Sequence, residues 1–359
     1  MPYVPKGLPP SISFETIAIL KKLGDARDAL AELRGVCVSI PNQDILISTL
    51  SLQEAKESSA IENIITTHDA LYRSDNIAKE FANSASKEVY SYVDALRSGF
   101  SMVKKAHLLT NNHILEIQKT LEQNGAGFRK IPGTALKNDQ TGEIVYEPPQ
   151  DGQQVLSLMA DLERFINDES VCDWHPLIKM CIIHHQFESI HPFYDGNGRT
   201  GRIINILYLV KQELLNSPVL YLSRYINRSK NEYYRLLQAV RDDGAWQDWV
   251  LYILMGIEKT AKQTTQLIEN IRDLMLSYKH KIRSEQPRMY SQDLINVLFS
   301  HPYSKIEFLI RDLEISRLTA TRYLDILVTM GLLSKHKIGR SNYYINVQLF
   351  DLLKNGPEA

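Results

Sequence analysis

The sequence predicts a mainly α-helical protein with one β-hairpin and a C-terminal winged helix-turn-helix. Three observations carry this. Apolar residues recur at helical spacing through most of the chain, as in FETIAILKKLGDARDALAELRGV and DILISTLSLQEAKESSAIENIITTHDALY. The stretch GAGFRKIPGTALKNDQTGEIVYEPPQ breaks that rhythm with glycines, prolines and two short β-like runs around NDQTG. After IRSEQPRMYS, residues 282–291, the pattern reads as three helices followed by two short strands.

In chain order, Pro2, Pro5, Pro9 and Pro10 preclude a helix and predict an extended arm over residues 1–12. From Ser13 to about Ala106 the pattern is helical, with Gly24 and Gly35 expected as breaks. A protruding hairpin is expected between Gly125 and Gln150. Helical patterning resumes from Val155 to about Lys281, interrupted near SIHPFYDGNG and NSPVLYLSRYI. Three regions follow: an N-terminal helical region over 1–105, a core over 106–280 and the winged helix over 281–359.

Composition excludes several classes. With 359 residues, 44% hydrophobic and 23% charged, the chain can bury a sizeable core in the manner of soluble globular proteins. A net charge of −1 gives no global field toward nucleic acid or a membrane, so any such preference must be local. Cys37, Cys172 and Cys181 are scattered and odd in number, against a disulfide framework and for a reducing compartment. The first residues lack a signal-peptide core and no run of 18 apolar residues occurs, so a cytoplasmic protein without a membrane partner is expected.

Chemistry concentrates in HHQFESIHPFYDGNGRTGR, residues 184–202. Gly196, Asn197 and Gly198 tolerate positive φ and can wrap backbone N–H groups around a concavity. The apolar-periodic RTGRIINILYLV then opens a helix, whose first N–H groups and positive dipole end favour phosphate. Arg199 and Arg202, one helical turn apart, add two guanidinium forks. Asp195 is a hard oxygen donor placed to hold Mg²⁺ against the same phosphates. His191 can take a proton near neutral pH. Phe193 should anchor the loop in the core. No Walker A loop is present. A metallohydrolase built on His184, His185, His191 and Asp195 is disfavoured: the first two diverge on a helix and no H-E-x-x-H occurs. Together these groups suit in-line attack of a hydroxyl on a phosphoryl group.

HPFYDGNGRTGR matches the signature of the Fic family, H-x-F-x-D/E-G-N-G-R-x-x-R, at every defined position. The segments FRKIPGTAL and IVYEPPQ resemble the family's flap, and LMADLERFIND, HPLIKMCIIHHQFESIHPF and WQDWVLYIL resemble its core helices, so the likeness covers residues 40–260. This resemblance implies a Fic-type helical core that transfers AMP from ATP to a Ser, Thr or Tyr hydroxyl of a protein and releases pyrophosphate. It implies His191 as general base, Asp195 as Mg²⁺ ligand, and Gly196, Asn197, Gly198 and Arg199 on the α- and β-phosphates, with Thr200 and Gly201 in the same turn. Arg202 would hold the γ-phosphate. Arg228 and Tyr233, in RYINRSKNEYYRLL, are candidates for the adenosine end, although packing of Tyr233 is the competing reading. The hairpin over 128–147 would hold the target by strand addition. Gly133, Thr134 and Tyr146 contact substrate there or shape the flap.

ESSAIENIITTHDA, residues 57–70, admits two readings. Ser59 to Glu62 fits a capping box at a helix start. Ser58, Glu62 and Asn63 also match the family's inhibitory pattern Ser/Thr-x-x-x-Glu-Gly/Asn, which implies that Glu62 pairs with Arg202 and displaces the γ-phosphate. The C-terminal residues Ser316, Arg317, Thr319, Thr321 and Arg322, with Lys335, Lys337 and Arg340 near the wing, suit DNA contact over 316–340, although winged helices also bind proteins. A DNA-binding regulator whose Fic part senses nucleotide is therefore the alternative reading; removal of AMP from modified protein is a third. Self-modification and a homodimer are further expectations. His68, His107, His113, His175, His301 and His336 read as surface or satisfied core residues, and Trp174, Trp246 and Trp249 as core.

Overall fold

An extended arm precedes α1 (Ile17–Cys37), which Thr16 caps by accepting from the Ile19 N–H. The computed structural model describes residues 3–74, 80–137, 142–338 and 341–356. Contrary to expectation, Gly24 and Gly35 do not interrupt α1. A helical glycine costs about 1 kcal/mol, and burying Ile19, Leu30 and Leu33 outweighs that.

Next, α2 (Gln43–Ile61) starts at Asn42, whose side chain accepts from the Asp44 N–H, and ends at Glu62. The capping-box reading is thereby overturned: Ser59 to Glu62 closes a helix. The Glu62 N–H bonds back to the Ser59 carbonyl at 3.0 Å, and Asn63, at φ 64°, turns the chain away. Short α3 (His68–Arg73) follows, then α4 (Ser84–Ala106) and α5 (Asn111–Glu122), which pack on each other.

The expected hairpin is present as β1 (Leu136–Lys137) and β2 (Ile144–Tyr146), antiparallel with Leu136 opposite Tyr146. Its turn, Asn138 to Thr141, lies outside the described residues. One end is anchored: Tyr146 is buried, its hydroxyl donates to the Ser189 carbonyl, and the Arg241 guanidinium lies 3.6 Å from its ring centroid. Ile144 and Val145 are exposed.

Beneath the hairpin, α6 (Gly152–Asn167), α7 (Pro176–Ile190) and α8 (Asn197–Lys211) form the centre. Every residue of α7 from Leu177 onward is buried, so it has no polar face and belongs inside. Then α9 (Leu222–Arg228) packs on α2, and α10 (Lys230–Asp243) leads to α11 (Trp246–Glu285), a 40-residue helix. The first half of α11 packs against the core through Trp249 and Ile253, and α1 lies along it. The boundary expected after residue 280 falls inside this helix.

The C-terminal region contains α12 (Gln292–Ser300), β3 (Tyr303–Ser304), α13 (Ile306–Leu313), α14 (Arg317–Thr329), β4 (Ser334–Ile338), β5 (Ser341–Ile345) and α15 (Val347–Asn355). Its sheet has the order β3-β5-β4, all antiparallel. This arrangement is compatible with the winged helix expected; β3 and α15 are additions that sequence periodicity did not reveal. Among the described residues no helix is long and apolar enough to cross a membrane.

Candidate active site

The loop between α7 and α8 is shaped by its own side chains. His191 ends α7 in the left-handed region, φ 49° and ψ 58°, and redirects the chain. Asn197 accepts from the Phe193 N–H and donates to the Phe193 carbonyl, both at 2.8 Å, cinching the loop. Phe193 is fully buried beside Phe128 and Phe187, as expected of an anchor. Gly196 precedes α8 at φ 73°, and a Cβ there would sit 2.2 Å from Glu122 Oε1. No side chain caps α8, so its first-turn N–H groups stay available at the positive end of the helix dipole.

His191 carries the next feature. Arg129, buried itself, donates to the carbonyls of His191 at 2.7 Å and Ile190 at 3.1 Å. Burial first, then the charges of Arg129 and Arg241, push the His191 imidazole down to about 3. Its ring is therefore neutral at physiological pH, with Nδ1 buried. Asp195 is exposed, with Oδ1 accepting from the Gly196 N–H at 2.7 Å. No cluster of three ligating side chains exists among the described residues. One open carboxylate beside an uncapped helix start nonetheless fits Mg²⁺, which takes one or two carboxylates and completes its shell with phosphate and water.

The two arginines face acids. Arg202 Nη2 lies 2.9 Å from Glu62 Oε1 and donates to the Ser58 carbonyl at 3.0 Å, while its Nε donates to Ser58 Oγ at 2.7 Å. Arg199 Nε lies 2.7 Å from Glu62 Oε2, an ion-pair approach without hydrogen-bond alignment. Its other nitrogens reach Glu122 at 2.9 Å and Glu88 at 3.3 Å. Glu62 thus spans both guanidinium groups, where the sequence suggested Arg202 alone. Asn63 stands apart and accepts from Lys230 Nζ at 3.4 Å.

Other candidates are placed differently. Tyr233 is 1% exposed, its hydroxyl is bonded to His184 Nε2 at 2.9 Å, and its ring packs on Trp249. These contacts favour the packing reading of Tyr233 over the nucleotide-contact one. Arg228 is exposed and lines a different cavity, with Lys56 and Arg224. Thr200 is fully buried, and Gly201 lets α8 approach Glu188 and Phe187. His185, like His184, is a core residue, bonded to the Leu237 carbonyl. Sequence reasoning missed Glu54, Glu88, Glu122, Glu188 and Arg129. Buried Glu54 accepts from the Ser223 N–H at 3.1 Å and from its hydroxyl, and burial raises its carboxyl to about 7. Burial also lifts Glu122 and Glu188 to about 7, against the opposing pull of Arg199 and Arg202 respectively. Glu188 sits inside the 184–202 segment, three residues before His191, whereas no fixed spacing links the other four to the loop and no local signal exposes them. In the C-terminal region Arg317 pairs with Glu307 at 3.1 Å and Lys335 with Asp325 at 2.8 Å. Arg340 lies outside the described residues.

The fold and loop define a helical protein with an uncapped helix start, two guanidinium forks and a neutral imidazole. Comparison with known proteins agrees. Residues 20–101 match the description "Fic/DOC family N-terminal", 108–209 "Fic/DOC family", and 274–349 "Protein adenylyltransferase SoFic-like, C-terminal domain". The chain belongs to the Fic/DOC family. Proteins named "Protein adenylyltransferase Fic" from Drosophila yakuba and Drosophila erecta are 30% and 28% identical over 160 residues. That stretch is 45% of this chain and only 30% of either relative's length. A Fic family protein from Desulfovibrio desulfuricans G20 shares the fold with a TM-score of 0.59 at 20% identity, over 94% of this chain and 98% of its own. For Fic-1 from C. elegans the TM-score is 0.52 at 20% identity, over 69% and 70%.

Proposed function

We propose that the protein transfers AMP from ATP to a hydroxyl of a target protein and that Glu62 restrains it. One observation carries this reading: the uncapped start of α8, flanked by Arg199 and Arg202, lies next to a neutral His191 at the end of α7. The α8 N–H groups and Arg199 hold the α- and β-phosphates, and Arg202 the γ-phosphate. His191 accepts the target hydroxyl's proton as that oxygen bonds to the α-phosphorus, the bond to the β-phosphate oxygen breaks, and pyrophosphate departs. Mg²⁺ held by Asp195 would neutralise phosphate charge. The exposed edge at Ile144 and Val145 offers a strand-addition surface for the target.

Restraint follows from competition. Glu62 already occupies both forks, so the triphosphate cannot be gripped at Arg202 until that carboxylate leaves. The protein acts in the cytoplasm on this reading, with AMP removal or self-modification open to the same machinery. The DNA-binding alternative ranks second, because Arg317 and Lys335 are already paired with acids.

The test is incubation with ATP labelled at the α-phosphate. Glu62→Gly should label protein and Glu62→Gly/His191→Ala should not, while ATP affinity of the two agrees within about threefold. Labelling that survives the His191 substitution refutes the base assignment.

A further inference from the structure

A second basic cavity, away from α8, is not used by this reaction. It opens between α2, α9 and α15, has a volume of about 450 Å³, and is lined by Lys56, Arg224, Arg228 and Lys354 with Glu57 as its acid. Glu57 is already engaged: Oε1 lies 3.4 Å from Lys56 Nζ, and Oε2 accepts from Asn227 Nδ2 at 2.8 Å. Arg224 donates to a backbone carbonyl, that of Asn355, at 3.1 Å. Among the described residues neither Arg228 nor Lys354 has a carboxylate partner. The cavity therefore concentrates cations without matching anions, which is costly unless an anion completes it.

A second observation points the same way. Tyr221 lines the cavity and is 5% exposed, yet its hydroxyl is buried with no hydrogen-bond partner among the described residues. Buried hydroxyls are nearly always bonded, so an orphan at the wall of a basic cavity marks a missing acceptor or donor. The imbalance is felt locally: burial, then Lys56 with smaller contributions from Lys354 and Arg224, press the His68 imidazole down to about 4 despite Glu57.

We propose that this cavity binds a small phosphorylated ligand, with its phosphoryl oxygens held by Arg224, Arg228, Lys56 and Lys354 and one polar atom meeting the Tyr221 hydroxyl. Guanidinium and ammonium groups converging from three helices suit a multiply charged phosphate, and the volume suits a ligand of nucleotide size. The ligand would tie α2, which ends at Glu62, to α9 and to α15 of the C-terminal region.

The probe is inorganic pyrophosphate, titrated calorimetrically into the full chain at low ionic strength. The start of α8 is a competing anion site, so Arg202→Gln serves as the reference in which that site is impaired. Arg228→Gln/Lys354→Gln changes two exposed residues, and its fold is checked by thermal unfolding. The expected result is pyrophosphate binding that survives Arg202→Gln and weakens at least about tenfold when Arg228→Gln/Lys354→Gln is added. Tyr221→Phe should weaken it less, about threefold. Equal binding with and without the double substitution, or loss of all binding in Arg202→Gln, overturns the proposal.

Discussion

At the scale of single residues, Glu62 holds most of the consequence. Its carboxylate hydrogen-bonds Arg202 and forms an ion pair with Arg199, both buried, and a hydrogen bond to a charged group contributes about 2 kcal/mol. Glu62→Gly should therefore raise AMP transfer at least about tenfold while lowering the melting temperature, and ATP should restore part of that loss. Unchanged transfer at every ATP concentration would remove the restraint from the account. His191 predicts a pH profile. A base works only when unprotonated, and its affinity for protons is depressed toward about 3, so transfer should persist well below the ordinary histidine range of about 6.5. A rate that halves near neutrality as pH falls would contradict this. Glu188 acts in the opposite sense on stability. Its folded-state value, raised to about 7, means it contributes stability below its ordinary 4.5 that is lost as pH rises through 7. The melting temperature of Glu188→Gln, relative to the parent, should thus rise between about pH 5 and pH 8.

At the scale of elements, the α7–loop–α8 unit is where sequence and structure agree most closely. Its residues are contiguous, so the anchor Phe193, the turn and the two arginines could be read as one pattern. Gly196 shows how tightly the pattern is held. An alanine there costs about 1–2 kcal/mol for the left-handed conformation, before its Cβ meets Glu122. Gly196→Ala should lower both stability and transfer, measured by thermal unfolding and by labelling. Elements decided by distant partners were less legible. The glycines of α1 looked like breaks because their packing partner, α11, lies more than two hundred residues away in sequence. Similarly, α2 ends where a helix start could be read. The direction of capping depends on flanking backbone, and Asn63 leaves the helix with positive φ. Tyr233 looked available because periodicity alone does not say which face of α10 meets Trp249.

At the scale of the whole molecule, the C-terminal region is locked to the rest by buried polar contacts as well as apolar ones. The Tyr278 hydroxyl donates to the Leu332 carbonyl at 2.6 Å or to Asn346 Oδ1 at 2.8 Å. Tyr278→Phe leaves those acceptors short of a donor and should cost about 1–3 kcal/mol, read as a lower denaturation midpoint. A second seam joins this region to α3. The Tyr303 hydroxyl donates to Asp69, Tyr343 donates to the Arg73 carbonyl at 3.3 Å, and Tyr72 stacks on Tyr303. Tyr303→Phe should speed amide hydrogen exchange in α3 more than in α7; equal protection would show that the seam contributes little to local stability.

The 40-residue α11 has a mechanical meaning. At about 1.5 Å per residue it is a rod of roughly 60 Å with no slack in it. Its far half buries Ile268, Ile271, Met275 and Ile282. Proteases that clip flexible tethers would find none between residues 246 and 285, and a chain cut within that span would bare an oily stripe to water. Whatever grips α14 is thus pulling on a shaft rather than a leash.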